Sequence, residues 1–188
     1  MRPFISFSGS SLIYAAFLLL ILPIEWILAA AIAAGFHEVC HYAAVRVTGN
    51  DAFEIVVSDC GIVMKTTALS FYQELLCALA GPAGSLALFC CYTVIPRISV
   101  CAGIQGLFNL LPIYPLDGGR AYRVVLHRFL PNFAFKICQW TEIVLIIFII
   151  LLSIFFSISM KTGFGPCFLV SVFLSRRLSE KFLAKKGK

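Results

Sequence analysis

His37-Glu38-Val39-Cys40-His41 is the stretch of this chain with the clearest capacity for chemistry. In a helix, positions i and i+4 share a face. The two imidazoles can therefore grip one Zn²⁺ ion, with Glu38 placed to act as a base toward a water at that ion. The pattern is short, and two histidines satisfied by interhelical hydrogen bonds would show the same spacing. Its setting favours the ion. Two His and a Glu fall within one turn of a long apolar segment, where an ionised carboxylate at mid-membrane costs about 2.5–3.5 kcal/mol. A cation that takes both rings and faces the carboxylate offsets that cost.

Two histidines are not enough, because a catalytic zinc usually keeps three protein ligands. His127, the remaining histidine, follows a run of basic residues and is a poor third ligand. Asp117 is the better candidate. It lies in Asn109-Leu-Leu-Pro112-Ile-Tyr-Pro115-Leu-Asp117-Gly118-Gly119-Arg120, where two prolines break an apolar segment and two glycines permit a tight turn. Broken backbone at membrane depth is tolerated only where it is buried in protein or lines a wet cavity. An acidic residue at such a break is a functional candidate by default. The competing reading is an Asp117–Arg120 pair at the interface.

The elements that must position these residues follow from composition. The chain has 188 residues, 61% hydrophobic and 13% charged, with a mean hydropathy of +0.97. Soluble domains carry about 25% charged residues, so this chain has too little charge to cover a water-facing surface. That excludes an ordinary cytosolic globule, a disordered tail and a nucleic-acid-binding module. The fold class expected is an all-α polytopic membrane protein, one domain over residues 1–188. About six transmembrane helices are expected, at 7–22, 25–47, 71–95, 98–114, 137–160 and 163–174, with Pro, Gly and Asn at the joints. The apolar run after Arg2 imitates a signal peptide, but no small-residue cleavage site follows Leu22, so the first span is expected to be retained.

Charge placement sets the orientation. With the N-terminus in the cytoplasm, 13 of the 15 Lys and Arg face inward, all but Arg97 and Lys161. This is a strong positive-inside bias. The net charge of +6 then reflects orientation and contact of the basic tail, 175–188, with the lipid bilayer rather than a nucleic-acid partner. Both termini are placed in the cytoplasm of a multi-pass cell-membrane protein. Arg46 lies nine residues, about 13 Å of helix, beyond His37, so the site is expected inside the bilayer profile, nearer the cytoplasmic face. Between the second and third spans, Phe53–Val57 and Gly61–Thr66 are β-prone runs flanking Ser58-Asp59-Cys60. They read as a small cytoplasmic β-hairpin or strand-forming loop. The eight cysteines sit mostly in apolar stretches and read as reduced. Glu142 reads as a residue that pairs or snorkels near the cytoplasmic edge, and Glu25-Trp26 as an outer-interface pair.

An HExxH in the second of six spans followed by NxxPxxPLDGG in the fourth resembles the site-2 protease family of intramembrane zinc metalloproteases. The short six-span form is similar to the bacterial branch that includes the sporulation protease processing a sigma-factor precursor. The resemblance covers nearly the whole chain. It implies one Zn²⁺ held by His37, His41 and Asp117, with Glu38 as catalytic acid/base. It also implies a membrane-protein substrate with a transmembrane helix, cleaved in or near that helix. Gly81-Pro82-Ala83-Gly84 matches the family's Gly-Pro motif, with a structural or substrate-positioning role, and Asn109 matches the Asn that opens the LDG motif. Asn109 reads either as a catalytic residue stabilising the oxyanion or as an interhelical hydrogen-bond donor that Gln105 joins. The strand edge containing Gly61, Ile62 and Val63 offers backbone groups to which an extended substrate can add. Cys40 departs from the family, which often has Gly there, and is expected to pack. No appended PDZ or CBS domain is expected, which leaves regulation to a separate membrane partner.

Two rival functions share some of these features. Broken helices and intramembrane His and Asp also suit a metal-ion transporter, but Glu38 in register between two same-face histidines forms a closed catalytic set rather than a ladder of sites. A catalytically inactive substrate-binding scaffold is disfavoured because every expected catalytic residue is present.

Overall fold

A computed structural model describes residues 23–49, 52–58, 61–66 and 69–159. The expected segments at 7–22 and 163–174, and the basic tail, lie outside these residues. In chain order the elements are α1 (Ile24–Val47), β1 (Ala52–Ser58), β2 (Gly61–Thr66), α2 (Phe71–Phe89), α3 (Pro96–Asn109), α4 (Asp117–Phe129) and α5 (Ala134–Ser159).

Local signals explain the helix ends. Pro23 precedes α1, where its missing N–H costs nothing, and Glu25 and Arg46 carry the charges that the two helix ends favour. Gly49 follows at φ 74°, a backbone conformation that glycine adopts without strain. Ser70 and Gln73 form a reciprocal capping box at the start of α2. The Gln73 amide also donates to the Thr48 carbonyl at 3.1 Å, fastening the start of α2 to the end of α1. Pro96 sits in the first turn of α3.

β1 and β2 pair antiparallel, with Ile55 opposite Met64, Val56 opposite Val63 and Ser58 opposite Gly61. The pair lies where the sequence has its two β-prone runs.

The helix packing is close because the facing residues are small. Ala29, Ala33, Ala78 and Ala102 are buried, and α3 turns Ser99, Ala102, Gly103 and Gly106 inward. A Cβ at Gly106 would lie 3.2 Å from the Pro82 carbonyl of α2, and one at Gly103 would lie 2.6 Å from the Phe89 ring. Large apolar side chains point outward instead: Ile24, Leu28, Ile32 and Phe36 on α1, and Ile147, Phe148, Leu151 and Phe155 on α5. Packing joins α1, α2 and α3 to one another and α4 to α2, whereas α5 packs chiefly on α4.

Among the described residues two helices, α1 and α5, are long and apolar enough to cross a membrane. They match the expected spans at 25–47 and 137–160. The expected span at 71–95 stops at Phe89, where turns begin. The one at 98–114 is a 14-residue helix ending at Asn109, about 21 Å long. The prolines at 112 and 115 account for its early end. Residues 117–129, which fall between the expected spans at 98–114 and 137–160, form α4, whose first turn is opened by Asp117. Gly118 and Gly119 therefore do not make the expected tight turn. They lie inside the first turn of α4, where a Cβ at either position would overlap the backbone of Leu110 or Ile113. Their lack of a side chain lets the helix start rest directly on the preceding loop.

Candidate metal centre

α1 carries His37 and His41 one turn apart, with His37 buried and His41 nearly so. α4 brings Asp117 to them. His37 Nε2 and Asp117 Oδ2 are 3.0 Å apart, His41 Nε2 and Asp117 Oδ2 3.1 Å, and the two Nε2 atoms 3.1 Å. Asp117 thus faces the histidines and not Arg120, whose side chain is exposed. His127 is exposed on α4 and takes no part.

The far nitrogens of both rings are already engaged. His41 Nδ1 is 2.7 Å from the Cys77 carbonyl, which can only accept, so Nδ1 carries a proton and, in the neutral ring, Nε2 is the atom that presents a lone pair. His37 Nδ1 lies 2.8 Å from the Ser85 hydroxyl, which is fully buried on α2 and suited to accept in the same sense. With both rings neutral, two lone pairs and a carboxylate oxygen would converge on one point, a donor set that suits a cation. A tetrahedral zinc with bonds of ~2.0–2.1 Å separates its ligand atoms by about 3.3 Å, so the triangle has to widen by only about 0.3 Å. Nitrogen, nitrogen and oxygen donors with hydrogen-bonded outer nitrogens fit that ion.

α2 shapes the site from below. Cys77, Gly81 and Ser85 are spaced by four and lie on one helical face against the histidine pair. A Cβ at Gly81 would overlap His41 Nε2 and lie 2.7 Å from His37 Nε2. Pro82 is fully buried against α3. Gly81, expected with Pro82 to have a structural or substrate-positioning role, lies directly against the histidine pair, and Pro82 packs on α3. Ser85 was not among the residues singled out by sequence. The signal was available: a serine four residues after the glycine of the Gly-Pro pair. Replacing Ser85 with Ala is expected to weaken metal affinity about 10–100-fold with little change in helix content, as read by chelator competition and circular dichroism.

Cys40 resolves as a packing residue. Its Sγ occupies the space that a Cβ at Gly84 would take, and it stands apart from the His37, His41 and Asp117 group. A Cys40→Ala variant is expected to keep its metal content, as measured by elemental analysis. The described cysteines are unpaired, as expected.

The remaining residues sit around this centre. Glu38 is half-buried and in electrostatic range of His41, His37, Asp117 and Arg120. The Asn109 amide nitrogen is 3.2 Å from His37 Nε2, so Asn109 belongs to the cluster from the end of α3. Gly61, Ile62 and Val63 lie in β2, paired with Ser58, Val57 and Val56 of β1.

The helical arrangement around this centre is similar to that of the site-2 protease from Methanocaldococcus jannaschii, with a TM-score of 0.57 and 20% sequence identity over 76% of this chain and 73% of that one. The chain has the site-2 protease fold. Neither a family model nor a curated protein sequence matches it. At this identity the likeness is one of fold.

Proposed function

We propose that the protein is an intramembrane zinc metalloprotease that hydrolyses peptide bonds in or near transmembrane segments of membrane-protein substrates. The observation that carries this reading is the convergence of His37, His41 and Asp117 on one point beside Glu38, within a fold similar to a site-2 protease. The two long apolar helices and the outward-facing large apolar side chains support a membrane setting.

When bound, Zn²⁺ supplies a Lewis acid for the scissile carbonyl and lowers the pKa of a water to about 7. Glu38, beside the three candidate ligands, would take a proton from the attacking water and later deliver it to the leaving amine. The Asn109 amide, adjacent to His37, donates toward the oxyanion. His37 and His41 keep their orientation because Ser85 and the Cys77 carbonyl hold their outer nitrogens. The protein is a multi-pass component of the cell membrane with both termini in the cytoplasm and the site nearer that face, about six spans in all, as in the short bacterial branch.

A transmembrane helix presents hydrogen-bonded, shielded peptide bonds, so the substrate must unwind locally. The outer edge of the β1–β2 pair, including Gly61, Ile62 and Val63, is where the unwound segment adds as a strand. Prolines introduced along that edge are expected to lower cleavage more than they lower folded yield, measured side by side on purified protein.

The test of the function is direct. Detergent-purified protein is incubated with a tagged single-span membrane protein, with and without a zinc chelator. Cleavage that stops on chelation and returns with Zn²⁺ supports the reading. Metal movement across proteoliposomes without cleavage would support a transporter, and substrate capture without cleavage a scaffold.

A further inference from the structure

We propose that Glu142 of α5 is a positioning residue for Asp117, acting through the backbone of Tyr114. The proposal rests on the metal-site reading above and adds a residue to it from a helix that does not touch the site.

Glu142 is only 7% exposed, in a helix otherwise made almost wholly of apolar residues over its central turns. A carboxylate held there is costly unless it is well paired. Its Oε1 accepts from the Tyr114 N–H at 3.2 Å. Tyr114 lies in the irregular turn three residues before Asp117. The inner side of that turn is fixed by Ile113, which is fully buried and whose carbonyl accepts from the Leu116 N–H at 2.9 Å. Glu142 grips its outer side. The same oxygen lies 3.8 Å from the Arg123 guanidinium, which also sits 4.3 Å over the Tyr114 ring. Tyr114 is thus held at its backbone by α5 and at its ring by α4. Gly119, two residues after the ligand, backs directly onto Ile113. A shift of the turn at Tyr114 is therefore passed to the first turn of α4, and Asp117 is the first residue of that turn.

Outer hydrogen-bond partners of metal ligands typically set metal affinity by about 10–100-fold. The chain here is one step longer, from carboxylate to backbone to ligand, but each link is a short packed contact. A purely structural Glu142 would instead fasten α5 to α4 through Arg123. Its loss would then lower stability and leave the ion's affinity alone.

The experiment uses the full chain in detergent. The apparent Zn²⁺ dissociation constant is measured by chelator competition, and the ligand field by the visible absorption of the Co²⁺-loaded protein. Glu142→Leu, an apolar side chain of similar size, is expected to keep its helix content, bind Zn²⁺ about tenfold or more weakly and shift the Co²⁺ band. Glu142→Gln keeps an acceptor for Tyr114 and is expected to restore affinity to within about threefold of the parent. Glu25→Ala, which removes an exposed ion pair with Arg97, is expected to change neither readout. A Leu variant within twofold of the parent, or a Gln variant as weak as Leu, overturns the proposal. If Glu142→Leu does not fold, Glu142→Asp decides: the carboxylate is kept but withdrawn by one carbon. Zn²⁺ binding about fivefold weaker than in Glu142→Gln supports positioning, and equality overturns it. A parent protein that binds no Zn²⁺ overturns the metal-site reading itself, which distinguishes that failure from this one.

Discussion

Gly81→Ala is expected to remove metal binding almost completely while leaving the helices intact. The added methyl would sit 2.7 Å from His37 Nε2 and closer still to His41 Nε2, well inside van der Waals contact, at the point where both Nε2 atoms converge. The rings cannot both retreat, because Ser85 and the Cys77 carbonyl fasten their outer nitrogens. α2 itself has every reason to tolerate the change, since alanine is about 1 kcal/mol better than glycine inside a helix. The expected signature is a split: Zn²⁺ affinity reduced by about 100-fold or more and proteolysis lost, with helix content kept and thermal stability of the metal-free protein lowered only modestly, because overpacking of about 1–3 kcal/mol is partly offset by the helix preference for alanine. Elemental analysis after gel filtration and a thermal melt of the chelated protein measure the two halves. A variant that binds Zn²⁺ like the parent would show that Gly81 does not floor the site.

Glu38→Gln has the opposite signature. The amide keeps the shape and the half-buried position of the carboxylate but cannot accept a proton from water. Metal content is expected to be unchanged, because His37, His41 and Asp117 are untouched, while cleavage falls by about 10²–10⁴-fold, the typical contribution of a general base. Elemental analysis with a gel-based cleavage assay reads both. A fully active Glu38→Gln protein would end the acid/base role, and loss of metal would place Glu38 among the ligands. Together the two variants separate holding the ion from using it.

The ligand set was legible because helical periodicity is a hard rule. His37 and His41 share a face at any depth, and an acid after two prolines in an apolar run has few structural excuses. The geometry around Asp117 was not legible. Pro112, Pro115, Gly118 and Gly119 read as a break followed by a turn, because glycine is judged by its backbone freedom. Here the glycines are helical, and they are needed for what a side chain would strike, which depends on where residues 110–116 run. The short α3 was hidden for a related reason: its apolar composition continues through Leu110 and Leu111, past the hydrogen-bonded helix. Ser85 and Glu142 carry signals in the sequence, a polar residue at a fixed spacing and an acid in a span. Their partners, though, are a ring 48 residues away and a backbone N–H 28 residues away, and no local pattern records such pairings.

Hydrolysis consumes a molecule that hydrocarbon excludes. α3, about 21 Å long, would fall short of a slab roughly 30 Å thick, and in the proposed membrane setting the remainder would be left to residues 110–116, whose peptide groups are not tied into a helix. Peptide groups of that kind have to be wetted or covered by protein. In that setting these peptide groups, which join Asn109 to Asp117, would be the place where water is expected to reach the site. The interruption that brings Asp117 to the histidines would thereby also supply the reaction with its second substrate.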